Sequence, residues 1–576
     1  MAGRKIELYD VRPLTSIRNM MQMAHDESGE RIAYKYRVGD HIEEVTYNQF
    51  FEDTMGIGTE LFSRIDKKAH VAMVGDNSYR WITVYLTMLQ SAGVFVPVDK
   101  EMPEEDMLRV LNHSDSEVVF YSAHLEKFFM DHRDQLPHVK FFVGVDREED
   151  QGEFLSYTSF RDAGKAKIAT GATHYTQLEK EVDEVRMLVY TSGTTGLAKG
   201  VMLTERNLIK MVYHGLQVST VYETGLSVLP YHHTYEAVAG LLVEIHMRCT
   251  MCINEGLTTV AKNLQFYKPD FIYLVPAFVE VFYKKIMAKA KHEKKETLLK
   301  LLSKGVALTK KMGIKGKAPA AFKPILDVFG GRMRKIVCGG APIRPELGEF
   351  FGSLGINLIN GYGITECSPL VSVNQDNFNS YATAGYPIPC VEIKFEDVDS
   401  EGNGEICVKG DTVMAGYYKN PEATAEAIVD GWFHTGDYGH FNDNGQLVIT
   451  GRKKNLIVLA NGKNIFPEEI ERYIDRIPYV QESVVFAIRD ENGEEVGLAV
   501  EVFLNAEQVE KRKITCPEQS LRADVNKQTL LLPSYKHISQ IFIRPVEFEK
   551  TSSKKIKRAS CINAPKMPEH HGASQN

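Results

Sequence analysis

The run Tyr190-Thr191-Ser192-Gly193-Thr194-Thr195-Gly196-Leu197-Ala198-Lys199-Gly200 has the make-up of a loop that holds a triphosphate. Its glycines let backbone N–H groups come close to phosphate oxygens, its hydroxyls add donors, and its one lysine supplies a point charge. The Walker pattern, GxxxxGK followed by Ser or Thr, is absent. Taken alone, the segment also reads as a plain Gly/Ser/Thr turn. Four further segments carry groups that suit phosphate and sugar chemistry. Gly361-Tyr362-Gly363-Ile364-Thr365-Glu366 puts an aromatic ring, a hydroxyl and a carboxylate on a turn after an apolar run. Gly431-Trp432-Phe433-His434-Thr435-Gly436-Asp437 is a glycine-flanked loop ending in an acid, and Gly451-Arg452-Lys453-Lys454-Asn455 is a basic turn. Thr551-Ser552-Ser553-Lys554-Lys555-Ile556-Lys557-Arg558 is a cationic loop near the carboxyl terminus. Singly, a Thr-Glu pair is usually a helix cap and a lysine-rich terminus a solvated tail.

The elements that position these groups are legible as patterns. Short apolar runs at 71–74, 118–121, 141–145, 188–190, 271–275 and 335–338 alternate with helical periodicity, which predicts α/β layering with parallel strands. The glycine loop follows such a run, and a helical pattern begins at Thr204. From Glu392 the texture is β-rich, with runs at 392–395, 404–408 and 446–449 between Gly/Asn/Asp turns. After Arg452 an α+β pattern follows: a helix over 467–477, strands over 483–488 and 497–504, a helix and a last strand over 541–546. The expected division is 1–453, with its β-rich part at 392–453, then 454–564, then a disordered tail at 565–576.

At 576 residues the chain is too long for a single core. With 43% hydrophobic and 25% charged residues and a net charge of −8 it reads as a soluble globular protein, and the acidity argues against nucleic acid as a partner. The amino-terminal residues are polar and charged, so no signal peptide is expected. The apolar stretch 81–98 is broken by Thr83, Thr87, Gln90, Ser91 and Gly93, which predicts a buried helix running into a strand rather than a membrane span. Cys249 and Cys252 form a lone CxxC in an apolar context, so zinc is not expected and the eight cysteines suit a reducing, cytoplasmic setting.

In this order, the motifs closely resemble those of the adenylate-forming superfamily: acyl-CoA synthetases, firefly luciferase and peptide-synthetase adenylation domains. The resemblance spans residues 30–560. It implies a large amino-terminal domain of layered α/β subdomains with a β-rich subdomain, and a small mobile α+β carboxyl-terminal domain. It also implies two half-reactions: a carboxylate attacks the α-phosphate of ATP, releasing pyrophosphate, and a thiol then displaces AMP from the acyl-adenylate. By the same resemblance Thr191, Ser192, Gly193, Thr194, Thr195, Gly196 and Lys199 hold the β- and γ-phosphates. Tyr362 lies against adenine, with Gly340-Ala341-Pro342 on the other side. Thr365 reaches the α-phosphate, and Glu366 holds Mg²⁺, a cation that takes oxygen ligands. Asp437 and Arg452 meet the ribose, and Lys555 bridges the carboxylate and the α-phosphate. Lys454 is the hinge about which the small domain swings. The swing brings in the loop 460–464, where Gly462 leaves room for a pantetheine arm. Three positions depart from the family pattern: Lys554 and Cys390 stand where glycine is usual, and Asn455 where aspartate is frequent.

The segment Leu229-Pro230-Tyr231-His232-His233-Thr234-Tyr235-Glu236 resembles the LPxxHxxE motif of long-chain synthetases. That likeness puts His233 beside the carboxylate, gating the acyl tunnel; the alternative is a core histidine. Leu274 to Glu280 resembles their VPRxFE segment, with Ala277 in place of the arginine. The expected activity is therefore a long-chain fatty acid–CoA ligase using ATP, Mg²⁺ and CoA. Two alternatives remain open: loading of acyl carrier protein, and a fatty-acid binding or transport protein without turnover. Between Lys284 and Lys323 lie thirteen lysines against two glutamates, with apolar residues at amphipathic spacing. This segment is either a solvated helical face or a cationic patch for anionic lipid or an acidic carrier, the lipid reading placing the protein at the inner face of a membrane.

Overall fold

The computed structural model describes residues 6–191, 198–311, 322–459, 463–489, 491, 493–530, 532–550 and 556–561. Ser192, Gly193, Thr194, Thr195, Gly196, Gly462 and Lys555, and the tail at 565–576, lie outside the described residues. The chain forms two compact units. The first comprises 1–393, 407–434 and 441–448, and the second 394–406, 435–440 and 449–576.

Two large sheets organise the first unit. In the eight-stranded sheet, His70–Val74 pairs in parallel with Val94–Val98 and Ser116–Tyr121, and Val94–Val98 in turn with Val185–Thr191. Val94–Val98 is buried along its whole length, as a parallel strand covered on both faces must be, which is why it reads as an unbroken apolar run. The stretch 81–98 is a buried helix, Tyr79–Gln90, followed by that strand. Ser78 starts the helix by accepting from the Trp81 N–H at 3.1 Å.

The nine-stranded sheet carries a parallel centre. Thr250–Ile253, Thr224–Ser227, Phe271–Leu274, Lys335–Cys338 and Asn357–Gly363 are neighbours in that order, all parallel. Their carboxyl ends therefore emerge at one edge, the place where open α/β sheets bind ligands. Beneath it, Leu274, Val279, Phe282, Ile336, Phe351 and Leu358 belong to one apolar core.

One element is added to the expected pattern, and one local expectation is corrected. First, a strand, Lys199–Thr204, intervenes between the glycine loop and the helix Glu205–Val218, antiparallel to Val185–Thr191. Lys199 stands opposite Thr191 in this pairing, and the helix begins after Thr204. Second, Tyr362 is not on a turn but inside the strand Asn357–Gly363, opposite Ser372. Gly363 makes that pairing feasible, since a Cβ there would sit 2.1 Å from the Pro369 carbonyl oxygen. Only Thr365–Cys367 forms a turn, of 3₁₀ type.

In the second unit, Val480–Arg489 and Glu495–Leu504 pair antiparallel, and Gln540–Arg544 adds in parallel. The helices Pro467–Ile474 and Pro517–Thr529 contribute Ile470, Ile474, Leu521 and Val525 to its core. The lysine-rich segment supplies the helices Pro276–His292 and Glu296–Lys311 to the first unit. No helix among the described residues is long and apolar enough to cross a membrane. Cys249 and Cys252 are buried thiols, and burial pushes Cys252 up to about 12.

Candidate active site

Four of the segments singled out above open from the carboxyl edge of the nine-stranded sheet. Leu229 to Glu236 follows Thr224–Ser227, and the 274–280 segment leads on from Phe271–Leu274. Gly340-Ala341-Pro342 follows Lys335–Cys338, and Tyr362 closes Asn357–Gly363. Cys338 and Asn360 are register partners, so the exposed Gly340 to Pro342 turn and the half-buried Tyr362 ring rise side by side. Gly340 has φ +82°, a left-handed conformation that glycine adopts without strain.

Thr365 and Glu366 lie on the adjoining 3₁₀ turn, half-buried. One carboxylate oxygen of Glu366 accepts from the Tyr417 hydroxyl at 3.0 Å. The Lys199 ammonium sits 4.8 Å from the centroid of the same ring. The structure thus joins the lysine of the glycine loop to the carboxylate of the 361–366 motif through Tyr417, which sequence reasoning missed. The aromatic pair after Gly416 was the visible signal, but nothing local ties it to residues over 200 positions upstream.

His233 is half-buried, its ring centroid 4.2 Å from that of His232. The His232 imidazole is 3.6 Å from the Asp99 carboxylate. Burial, reinforced by His233, depresses His232 to about 3, so it is neutral at physiological pH. Three residues on, Glu236 is buried in a π-helical turn, Tyr235–Leu242, and accepts from Ser227 Oγ at 2.5 Å. Burial pushes its carboxyl up to about 8 from the ordinary 4.5.

A stability prediction follows from that shift. Near pH 7 Glu236 is protonated in the fold, whereas in the unfolded chain it ionises above its ordinary value. The fold therefore loses stability as pH rises from 4.5 to 8. Glu236→Gln keeps an acceptor for Ser227 and never ionises. It should stabilise the protein by about 2–4 kcal/mol at pH 8 and by nothing at pH 4.5. Melting curves of both proteins across that range test this; an equal difference at both ends would refute it.

In the second unit, Asp437 is 2% exposed, and its carboxylate forms an ion pair with Arg452, Nε lying 2.9 Å from one oxygen. The loop that presents Asp437 is pinned locally. Thr435 Oγ1 accepts from the Asp437 N–H at 3.0 Å and donates to the Ile406 carbonyl at 2.8 Å. Glu405 accepts from the Gly436 N–H and holds Lys453. Lys454 lies in the next 3₁₀ turn, Lys453–Asn455, exposed, and partial desolvation lowers its pKa.

Each unit by itself holds groups suited to part of a magnesium–nucleotide ligand. Glu366 is a hard oxygen donor with a hydroxyl neighbour in Thr365, the chemistry Mg²⁺ takes, and Gly363 keeps the chain beside it free of a Cβ. Asp437 is a buried carboxylate acceptor of the kind that hydroxyl pairs need.

Comparison with known proteins agrees with this chemistry. Residues 21–418 match the family of AMP-binding enzymes, and 454–565 match the AMP-binding enzyme carboxyl-terminal domain. The chain belongs to the AMP-binding enzyme family. It is an adenylate-forming ligase, and ligases of this kind use ATP, Mg²⁺ and CoA. Among similar proteins is the long-chain-fatty-acid–CoA ligase FadD15 of Mycobacterium bovis, 28% identical over 440 residues, covering 72% of this chain and 70% of that one. The long chain acyl-CoA synthetase 4 of Arabidopsis thaliana is 27% identical over 476 residues, covering 77% and 71%. The fold matches the anthranilate CoA ligase AuaEII in complex with anthranoyl-AMP, with a TM-score of 0.73 at 17% identity over 95% of this chain and 96% of that one. It also matches the adenylation domain of a Mycobacterium chelonae carboxylate reductase, with a TM-score of 0.77 at 20% identity over 95% and 89%.

Proposed function

We propose that the protein is an ATP-dependent long-chain fatty acid–CoA ligase. It activates the acid as an acyl-adenylate and passes the acyl group to the CoA thiol. The observation that carries this reading is the gathering of the His232–His233 segment, Gly340 to Pro342 and Tyr362 at one sheet edge. Tyr362 and Gly340 to Pro342 bracket adenine. Thr365 donates to the α-phosphate, and Glu366 holds Mg²⁺, which neutralises charge developing on the phosphates. Thr191, Ser192, Gly193, Thr194, Thr195, Gly196 and Lys199 bind the outer phosphates, and Asp437 with Arg452 binds the ribose. His233, its ring beside that of His232, orients the acid. Lys555 serves the first half-reaction, and the small domain, turning at Lys454, brings Gly462 in for the second. The domain division 1–453, 454–564 and 565–576 belongs to the same reading.

The long-chain substrate rests on the LPxxHxxE-like segment and on the names of relatives such as the M. bovis ligase. A long alkyl chain is held by buried area, about 0.8 kcal/mol per CH₂, so the test is functional. Pyrophosphate release should rise from acetate to oleate, and continuous AMP formation should need CoA. A single burst that only carrier protein renews would instead identify an acyl–acyl carrier protein synthetase. Silence with every acid would identify a binding or transport protein.

The lysine-rich helices favour a cytoplasmic enzyme that docks at the inner membrane face. Leu298 and Leu301 are 53% and 68% exposed on Glu296–Lys311, among Lys300 and Lys304. Val281 is exposed on Pro276–His292, with Lys284, Lys285, Lys289 and Lys291. Lysines near an anionic surface contribute about 1 kcal/mol each. The protein should sediment with phosphatidylglycerol vesicles and not with phosphatidylcholine ones, and Leu298→Ser with Leu301→Ser should weaken binding. Retention by acyl carrier protein without vesicle binding would assign the patch to the carrier.

A further inference from the structure

Two motifs of the candidate site are tied together by a segment to which neither the family likeness nor the activity assigns a role. Gly416–Tyr417 is a two-residue strand antiparallel to Lys199–Thr204, with Gly416 opposite Met202 and Tyr417 opposite Val201. Flanking bonds extend the pairing. The Tyr418 N–H donates to the Gly200 carbonyl at 2.8 Å and the Ala415 N–H to the Met202 carbonyl at 2.9 Å. One residue earlier, the Met414 N–H donates to the backbone carbonyl of Glu366 at 2.8 Å. The segment 414–418 is thus bonded along one stretch to the strand Lys199–Thr204 and at its start to the turn that bears Thr365 and Glu366.

The side chain of Tyr417 repeats that connection. Its hydroxyl donates to Glu366 Oε1 at 3.0 Å, and the Lys199 ammonium lies against its ring face, 4.8 Å from the centroid. The residue is 7% exposed, and its backbone N–H donates to Thr424 Oγ1 at 2.9 Å, which leaves the ring little freedom. The hydroxyl end satisfies an anion and the ring face a cation, so one side chain sets the orientation of both.

We propose that Tyr417 is a positioning residue for adenylation. Its hydroxyl fixes the Glu366 carboxylate for Mg²⁺, and its ring sets where the Lys199 ammonium meets the outer phosphates. The inference rests on the roles given above to Glu366 and Lys199, and it separates two functions within one side chain.

The test uses the full chain and acid-dependent ATP–pyrophosphate exchange, titrated with Mg²⁺ and with ATP. Tyr417→Phe keeps the ring and removes the hydroxyl. It should raise the half-saturating Mg²⁺ concentration about tenfold, the usual effect of losing a group that orients a metal ligand, while KM for ATP at saturating Mg²⁺ stays within about twofold. Tyr417→Leu should add a rise in KM for ATP of about fivefold, since the lysine also loses its ring. A merely structural residue would lower the rate of both variants without moving either titration, and that result overturns the proposal. Glu366→Gln separates the levels. If it shifts the Mg²⁺ titration and Tyr417→Phe does not, the role of Tyr417 falls while that of Glu366 stands. If neither shifts it, the assignment of Glu366 falls as well.

Discussion

Lys555→Ala is expected to lower acid-dependent pyrophosphate exchange by about 10²–10³-fold, the loss typical of one charge-stabilising donor at a reacting centre. The attack of a carboxylate on the α-phosphate brings two anions together, and a cation that bridges them acts only where that charge develops. Ground-state ATP binding should therefore change little, and the loss should fall on kcat. Thioester formation from preformed acyl-adenylate and CoA should stay near wild type, because the proposed role of the lysine is confined to the first half-reaction. Gly462→Leu is the complementary variant, sparing exchange and impairing thioester formation. Lys555 is preceded by Lys554 where the family usually has glycine, so Lys554→Ala is the necessary companion. A larger loss in Lys554→Ala than in Lys555→Ala would move the assignment by one residue. Equal loss of both half-reactions in either Lys555→Ala or Gly462→Leu would refute the two-state division of labour.

Asp437→Ala carries the second large effect. The carboxylate is almost wholly buried, and its loop is held by Thr435 and Glu405 before any ligand arrives. It is thus pre-organised, and the bonds from two ribose hydroxyls proposed above would be charge-assisted, about 1.5–3 kcal/mol each. Removing them should raise KM for ATP by roughly 10²-fold, allowing for partial compensation by water. The fold should survive, because the Arg452 side chain is 44% exposed and regains water when its partner is lost. The reverse truncation, Arg452→Ala, leaves a buried carboxylate without that partner and should cost more stability than Asp437→Ala. An unchanged KM for ATP in Asp437→Ala, measured by exchange at saturating acid, would remove Asp437 from the nucleotide site.

Much of the scaffold was legible before any coordinates. The runs at 71–74, 118–121, 271–275 and 335–338 are strands because parallel strands buried on both faces must be apolar throughout, a signal that survives without context. The helix-to-strand reading of 81–98 held for the same reason. The strand Lys199–Thr204 was not legible: it lies between a loop and a capped helix, and its apolar core is only Val201-Met202-Leu203. Gly416–Tyr417 had no periodicity to find at two residues, and its pairing with Val201 and Met202 spans more than 200 positions. Tyr362 was misplaced onto a turn because glycines normally signal one, whereas Gly361 and Gly363 here admit the close approach of the neighbouring strand.

The same line divides the chemistry. The kinds of groups, their order along the chain and the short elements that carry them were set by local composition and spacing, which act between residues near in sequence. From these came the motif segments, and the family resemblance carried by their order singled out Thr365, Glu366, Asp437, Arg452 and Lys555 within them. Which groups meet, and in what protonation state, was decided by tertiary structure. The Tyr417 bridge between Lys199 and Glu366, the Asp437–Arg452 pair, a neutral His232 and a protonated Glu236 all depend on through-space distance and on exclusion of water. Coulomb energies and desolvation follow separation in space and burial, and neither is a property of separation along the chain.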